Sequence, residues 1–229
     1  MKLNMKQKSS IGYNMKKLII AILVLFTLNC IGQTNVVTKN KLIIPHGDMT
    51  LYLSDDTLSL VSKQTIKYSN FKKLDTDRDN RWFQDTYKGR YRKDDYLYSG
   101  YDLGHLTPSH ITSYNDTLNH NSFSLFNQAP QLASFNRGKW AQLEGRVEDS
   151  IAKYKVNATI ITGVIYDGLS VVYLGKSRIK IPTAYFKILV IKTKTYCWLG
   201  SNNNGQVMLL TLSELNQIFQ INKMNLEIK

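Results

Sequence analysis

Between residues 136 and 154 the apolar positions Trp140, Leu143, Val147, Ile151 and Tyr154 recur at spacings of three and four, with Glu144, Arg146, Glu148 and Asp149 set between them. That period predicts an amphipathic helix from about Phe135 onward, with one face buried. The flanking pattern is different. "NKLIIPHG" and "TLYLSDDTLSLVSKQTIKYS" before it, and "VNATIITGVIYDG", "SVVYLGKSRIKIPTAYFKILVIKTKTYCWLGSNNNG" and "VMLLTL" after it, are alternating or apolar runs broken by Gly, Asn and Asp. These read as strands joined by turns. A second, shorter helix is predicted over "LSELNQIFQIN", opening at Thr211 or Ser213. Strands, a central helix, further strands and a closing helix predict an α+β architecture with the helix packed on a mainly antiparallel sheet. No repeat or proline-rich linker divides the chain beyond residue 34, so residues 34–229 are expected to form one domain.

The first 33 residues stand apart from this pattern. Met15, Lys16 and Lys17 precede the apolar run "LIIAILVLFTL", a basic start and a hydrophobic core too short for a membrane span of about 20 residues. Residues 1–33 therefore read as an export signal, with no stable membrane span expected. Lipid attachment at Cys30 is the lesser alternative, because Thr27, Leu28 and Asn29 are not the small residues such processing prefers. Removing this segment takes away five lysines and no acid, so the formal charge falls from +13 to +8. Cys197 is then the only cysteine beyond the signal, which rules out an intramolecular disulfide and favours burial as a small hydrophobe.

The remaining charge is uneven. Residues 63–93 hold ten Lys or Arg against four Asp, Arg78 and Arg81 among them. Such a tract is either a solvated face or a surface that follows a phosphate backbone. Directly after it comes "SGYDLGHLTPSH", whose Gly100 and Gly104 approach His105 as if to leave room for a bulky substrate. On the predicted helix, Asn136 and Glu144 lie eight residues apart, about 80° around the axis, and so reach one side of it. A histidine can take a proton from water near neutral pH. An asparagine oxygen suits a hard, hydrated divalent cation, and a glutamate can order that cation's waters. His105 and His110 are five apart and no His-Glu-x-x-His pattern occurs, so zinc is disfavoured; no Gly-x-Ser-x-Gly elbow suggests a serine hydrolase.

In three linked segments the chain resembles the DNA/RNA non-specific endonucleases, a family of secreted bacterial and mitochondrial nucleases. Asp102-Leu103-Gly104-His105 matches the family's Asp-Arg-Gly-His, Asn127-Gln128-Ala129-Pro130-Gln131 its Asn-x-x-Pro-Gln, and Asn136, Trp140 and Glu144 its Asn-x-x-x-Trp-x-x-x-Glu. "IITGVIYD", "IPTAYFKI" and "TLSELNQI" extend the resemblance over roughly residues 72–219. It implies a ββα-metal nuclease fold and an Mg²⁺-dependent endonuclease, with Mn²⁺ as a substitute metal. His105 would be the general base, Asn136 the direct metal ligand, Glu144 the residue ordering the metal's water shell, and Asn127 a supporting polar residue. Asp102 would hold the histidine segment or its neighbours by hydrogen bonds. DNA and RNA would both be substrates, and a homodimer or a protein inhibitor is left open.

One departure bears on catalysis. Leu103 stands where the family carries a phosphate-binding arginine, and loss of such a donor costs on the order of 10²–10³ in rate unless another residue substitutes. Arg78, Arg81, Arg90, Arg92 and Arg137 are the candidate replacements, Arg78, Arg81 and Arg137 foremost as substrate-binding residues. Glu148 stands where better-known members have a basic residue. The alternative these departures leave open is a basic nucleic-acid-binding protein of the same fold with weak or lost activity.

Overall fold

"ATIITGVI" and "AYFKILVI" send successive side chains to opposite faces of their strands, and both faces are apolar, so each strand needs a cover on both sides. The computed structural model, which describes residues 35–38, 42–54, 59–75, 77–85, 92–166 and 171–229, supplies those two covers. The segment assigned to an export signal, with Cys30, and Arg90 lie outside the described residues. Asn35–Ile228 form one unit.

Its strands are β1 (Val36–Thr38), β2 (Ile43–His46), β3 (Met49–Leu53), β4 (Ser59–Ile66), β5 (Tyr101–His105), β6 (Gln128–Leu132), β7 (Ala158–Ile165), β8 (Tyr173–Leu174), β9 (Ile179–Lys180), β10 (Ala184–Ile191), β11 (Lys194–Ser201), β12 (Val207–Leu210) and β13 (Leu226–Ile228). The main sheet has seven strands in the order β12-β11-β10-β7-β4-β3-β2, every pair antiparallel. The helices longer than four residues among the described residues, apart from the turn at Asn136–Trp140, are α1 (Asp116–Ser122), α2 (Ala141–Tyr154) and α3 (Leu212–Ile221).

The predicted stripe of α2 is realised: Leu143, Val147 and Ile151 are buried with Trp140 against Ile160, Val164, Tyr185 and Leu189 on one face of the sheet. On the other face, Leu215 and Phe219 of α3 pack with Ile161, Ile165, Phe186, Ile188 and Cys197. Of the two openings expected for α3, the chain uses Thr211, whose hydroxyl accepts from the Glu214 amide at 3.2 Å while Glu214 accepts from the Thr211 amide at 2.7 Å. That reciprocal cap contributes about 1 kcal/mol. Burial pushes the Cys197 thiol up to about 11, as suits a packing residue rather than a nucleophile.

Helix α1 has no counterpart in the sequence reading. "DTLNHNS" carries one apolar residue, and its buried face is made instead from Leu118 with Asn119 and Ser122. An Asn115 side chain accepting from the Leu118 amide at 2.8 Å starts it. Strands β1 and β13, near the two ends of the unit, pair with each other, Val36 opposite Ile228.

Candidate active site

β5 and β6 form a separate antiparallel pair, with His105 opposite Gln128 and Asp102 opposite Gln131, and β6 runs directly into the helical segment that leads to α2. That segment is not uniform. Residues Asn136–Trp140 form a wide π-type turn in which Gly138 leaves helical geometry (φ −106°, ψ −108°) before α2 begins. Such widened turns re-aim side chains and recur at functional sites. Here it brings Asn136 and Glu144 to one open cleft of about 450 Å³, which Arg78, Leu103, His105, His110, Arg137 and Glu148 also line.

Gly104 has a different job from the one its sequence suggested. It is buried and extended within β5, and a Cβ there would overlap the side chain of Gln131 on the partner strand. The glycine makes room for its neighbour on β6 rather than for a substrate.

The His105 ring sits between Trp82, 4.6 Å between centroids, and the edge-on ring of Phe123 at 5.0 Å. Its Nε2 is enclosed and has no hydrogen-bond partner among the described residues. Burial, reinforced by the nearby Arg78 guanidinium, drives its pKa from 6.5 down to about 3, so the imidazole is neutral at physiological pH. The unfolded chain takes up a proton below 6.5 and the folded one does not. Stability that is fully present above 6.5 is therefore lost as pH falls from 6.5 toward 3. Thermal melts should show the wild type losing ground to a His105→Gln variant between pH 7.5 and 4.5. Parallel melting curves would contradict the buried neutral ring.

Asp102 organises the helix end of the cleft. Its Oδ2 accepts from Asn136 Nδ2 at 2.8 Å and from Arg137 Nε at 2.9 Å, and its Oδ1 accepts from Arg137 Nη2 at 2.6 Å. The Arg137 guanidinium and the Asn136 amide hold this carboxyl below its ordinary pKa against the opposing effect of burial. The amide nitrogen of Asn136 is thereby committed, and its Oδ1 has no protein partner among the described residues. Asp102 thus serves the neighbours of His105 rather than His105 itself.

Glu144 faces a residue absent from the expected site. Lys187, in the middle of β10 and 1% exposed, places Nζ 3.5 Å from Glu144 Oε1, 2.7 Å from Thr162 Oγ1 and 5.1 Å from the centre of the Trp140 ring. Burial raises Glu144 and lowers Lys187, and each charge pulls the other back toward ionisation. A lone cation in "AYFKILVI" was the available signal. Two-residue alternation puts Lys187 on the same face as Tyr185 and Leu189, which is the face under α2.

The other named residues divide. Arg78 lines the cleft, its guanidinium 5.2 Å from the Phe123 ring. Arg81 does not line it: Nε is 2.6 Å from Asp79 Oδ1 and Nη2 is 2.9 Å from Oδ2, an ion pair that turns the side chain away. Leu103 reaches the cleft and also packs on the core. His110 places Nδ1 at 3.1 Å from both Glu148 oxygens, and His120 places Nδ1 at 2.8 Å from Asp79 Oδ2.

Asn127, grouped with the catalytic residues in the sequence, is wholly buried beneath the site. Its Oδ1 accepts from the Thr107 amide, and its Nδ2 donates to the carbonyls of Thr107 and Ser122. It is a supporting residue that clamps the exit of β5 and does not touch the cleft. Asn127→Ala should leave those groups unpaired and cost about 3 kcal/mol, a fall of roughly 6–12 °C in Tm. A melt within 2 °C of wild type would remove Asn127 from the frame of the site.

Asn136 and Glu144 offer oxygen donors, and among the described residues no group of three or more His, Cys, Asp or Glu converges on one point. One free amide oxygen with a carboxylate nearby fits a hard divalent cation that keeps most of its waters.

The fold and sequence have known counterparts. A crystal structure of the EndoG/EndoGI complex matches with a TM-score of 0.68 at 21% identity, over 78% of this chain and 84% of that one. Mitochondrial endonuclease G of Homo sapiens is 31% identical over 107 residues, 43% of this chain and 36% of that protein. The mitochondrial nuclease of Saccharomyces cerevisiae is 31% identical over 137 residues, 52% of this chain and 41% of that protein. A nuclease of Syncephalastrum racemosum is 31% identical over 115 residues. The matched regions thus span well under half the length of these curated relatives. The DNA/RNA non-specific endonuclease family model matches residues 29–227, a span that contains every element building the cleft, and the chain belongs to that family.

Proposed function

We propose that this protein is an exported, Mg²⁺-dependent endonuclease that hydrolyses phosphodiester bonds in DNA and RNA. The observation that carries the reading is the convergence of His105, Asn136 and Glu144 on one cleft with two arginines, Arg78 and Arg137, at its wall. His105 is the general base: the ring is neutral, Nε2 is enclosed, and Nδ1 is the nitrogen left to take a proton from water. Its aromatic neighbours fix the ring plane, so the water it activates is presented from one direction, as in-line attack on phosphorus requires.

Arg137 supplies what Leu103 does not. Asp102 holds its guanidinium at the cleft through Nε and Nη2 while the side chain as a whole is 74% exposed, which leaves the other edge to meet a phosphoryl oxygen. Arg78 adds a second positive charge on the His105 side. Asn136 Oδ1 would hold a hydrated Mg²⁺ or Mn²⁺, with Glu144 ordering its waters, and the cation would supply Lewis-acid stabilisation of charge growing on the phosphoryl and leaving oxygens. Lys187 keeps one Glu144 oxygen engaged and so limits the directions in which the carboxylate can point.

The test is cleavage of supercoiled plasmid and of total RNA by residues 34–229, with Mg²⁺ and with excess EDTA. Cutting of both substrates that EDTA abolishes is expected. A folded protein that retains nucleic acid in a gel shift yet cuts neither with any of several divalent metals would make it a binding protein of the same fold.

A further inference from the structure

The most exposed aromatic ring among the described residues does not belong to the cleft. Tyr98, 105% exposed, is held at φ +56°, a conformation bulky L residues avoid. Its surroundings share that character: Leu97 is 62% exposed and, on the hairpin formed by β8 and β9, Val172 is 56% and Tyr173 44% exposed. Arg178, at φ +52° on the same hairpin, lies 4.4 Å over the Tyr173 ring. Arg92, Lys93 and Lys176 are exposed beside them, against Asp94 as the one exposed acid of residues 92–98.

These two segments are locked together and to the site. Asp95 Oδ1 accepts from the Lys176 amide at 2.8 Å and the Ser177 amide at 3.3 Å, and Gly175, at φ +62°, lies so close that a Cβ would overlap the Asp95 side chain. Beneath, Leu174 and Ile179 join Tyr96 in the core, and the Tyr96 hydroxyl donates to Gln128 Oε1 at 2.6 Å. Gln128 is the β6 residue opposite His105. Tyr98 is seven residues from His105, so it lies within about 25 Å of it.

We propose that Tyr98 and Tyr173, with Lys93, Lys176 and Arg178 around them, form a platform for a single strand of nucleic acid leaving the cleft. This rests on the nuclease reading. Exposed ring faces take unpaired bases by stacking and the surrounding cations take phosphates, a combination that a duplex, whose bases are already stacked, uses only through its backbone. At about 3.4 Å per stacked nucleotide the span to His105 corresponds to at most about seven nucleotides. Strands of that length or longer can reach both places.

The test uses fluorescence anisotropy in the His105→Ala background, which separates binding from cleavage. A 20-nucleotide single strand, a 20-base-pair duplex and vesicles of phosphatidylglycerol are offered to this parent and to the same protein carrying Tyr98→Ala and Tyr173→Ala. Both rings are exposed, and equal Tm values check that folding is intact. The single strand should bind at least tenfold more weakly to the double variant, while the duplex changes less than twofold. With His105 intact, the double variant should show a raised KM on the 20-nucleotide strand, and its deficit against the parent should shrink as the strand is shortened toward a dinucleotide. Unchanged single-strand binding, or equal losses on strand and duplex, would overturn the platform. Loss of vesicle binding with nucleic acid unaffected would assign the patch to a lipid surface instead. A parent that binds no nucleic acid at all sinks the nuclease reading, and the platform with it.

Discussion

Replacing His105 with alanine is expected to lower metal-dependent cleavage by about 10²–10⁴-fold while leaving nucleic-acid retention in a gel shift nearly intact. The split follows from where the charges are. Arg78 and Arg137, the groups at the cleft proposed to meet phosphate, do not depend on the imidazole for their position: Arg137 is held by Asp102, and Arg78 by the Phe123 face and Asn80. The void left between Trp82 and Phe123 is small and lies at the cleft wall, so the fold should survive. A variant that still cuts within tenfold of wild type would mean that another group takes the proton from water. A variant that loses binding as well would place His105 in substrate recognition instead.

Glu144→Ala should cost both activity and stability, and the second loss should be reversible by a second substitution. Removing the carboxylate leaves Lys187 charged and enclosed with only Thr162 to accept from it, a penalty of about 3 kcal/mol, or roughly 6–12 °C in Tm. Cleavage should fall about 10²-fold, because Glu144 is the carboxylate proposed to order the metal's waters and Glu148, which also lines the cleft, is paired with His110. Adding Lys187→Met removes the stranded cation and supplies an unbranched apolar chain beside Trp140, so most of the Tm should return. Activity should not. Melting curves and plasmid cleavage on the two single variants and the pair would decide it. Failure of Lys187→Met to recover stability would show that the ion pair is not what Glu144 contributes to folding.

The parts of this molecule that could be read in advance are those whose information is local. The stripe from Trp140 to Tyr154 required a helix, and Thr211 or Ser213 was the expected start of another, of which the chain uses Thr211. Asn136 and Glu144 were expected to share one side of a single helix; they do line one cleft, but by way of the wide turn at Asn136–Trp140, which their spacing did not reveal. Lys187 was different: it lies 43 residues beyond Glu144 in the chain, and only the packing of β10 under α2 joins them. Arg78 and Arg81 sit in the same basic tract with nothing to separate them, until Asp79 captures one and the Phe123 ring positions the other. Helix α1 escaped because its buried face is polar, and Gly104 was misjudged because its crowding comes from the strand opposite.

The pairing of β1 with β13 has a practical consequence. Val36, Leu226 and Ile228 pack with the α3 core, on the side of the sheet opposite α2. Both ends of the folded unit therefore emerge behind the cleft. A fluorophore, purification handle or solid support attached at either end leaves the cleft turned toward the medium, so immobilised protein should digest long polymers as readily as the free form.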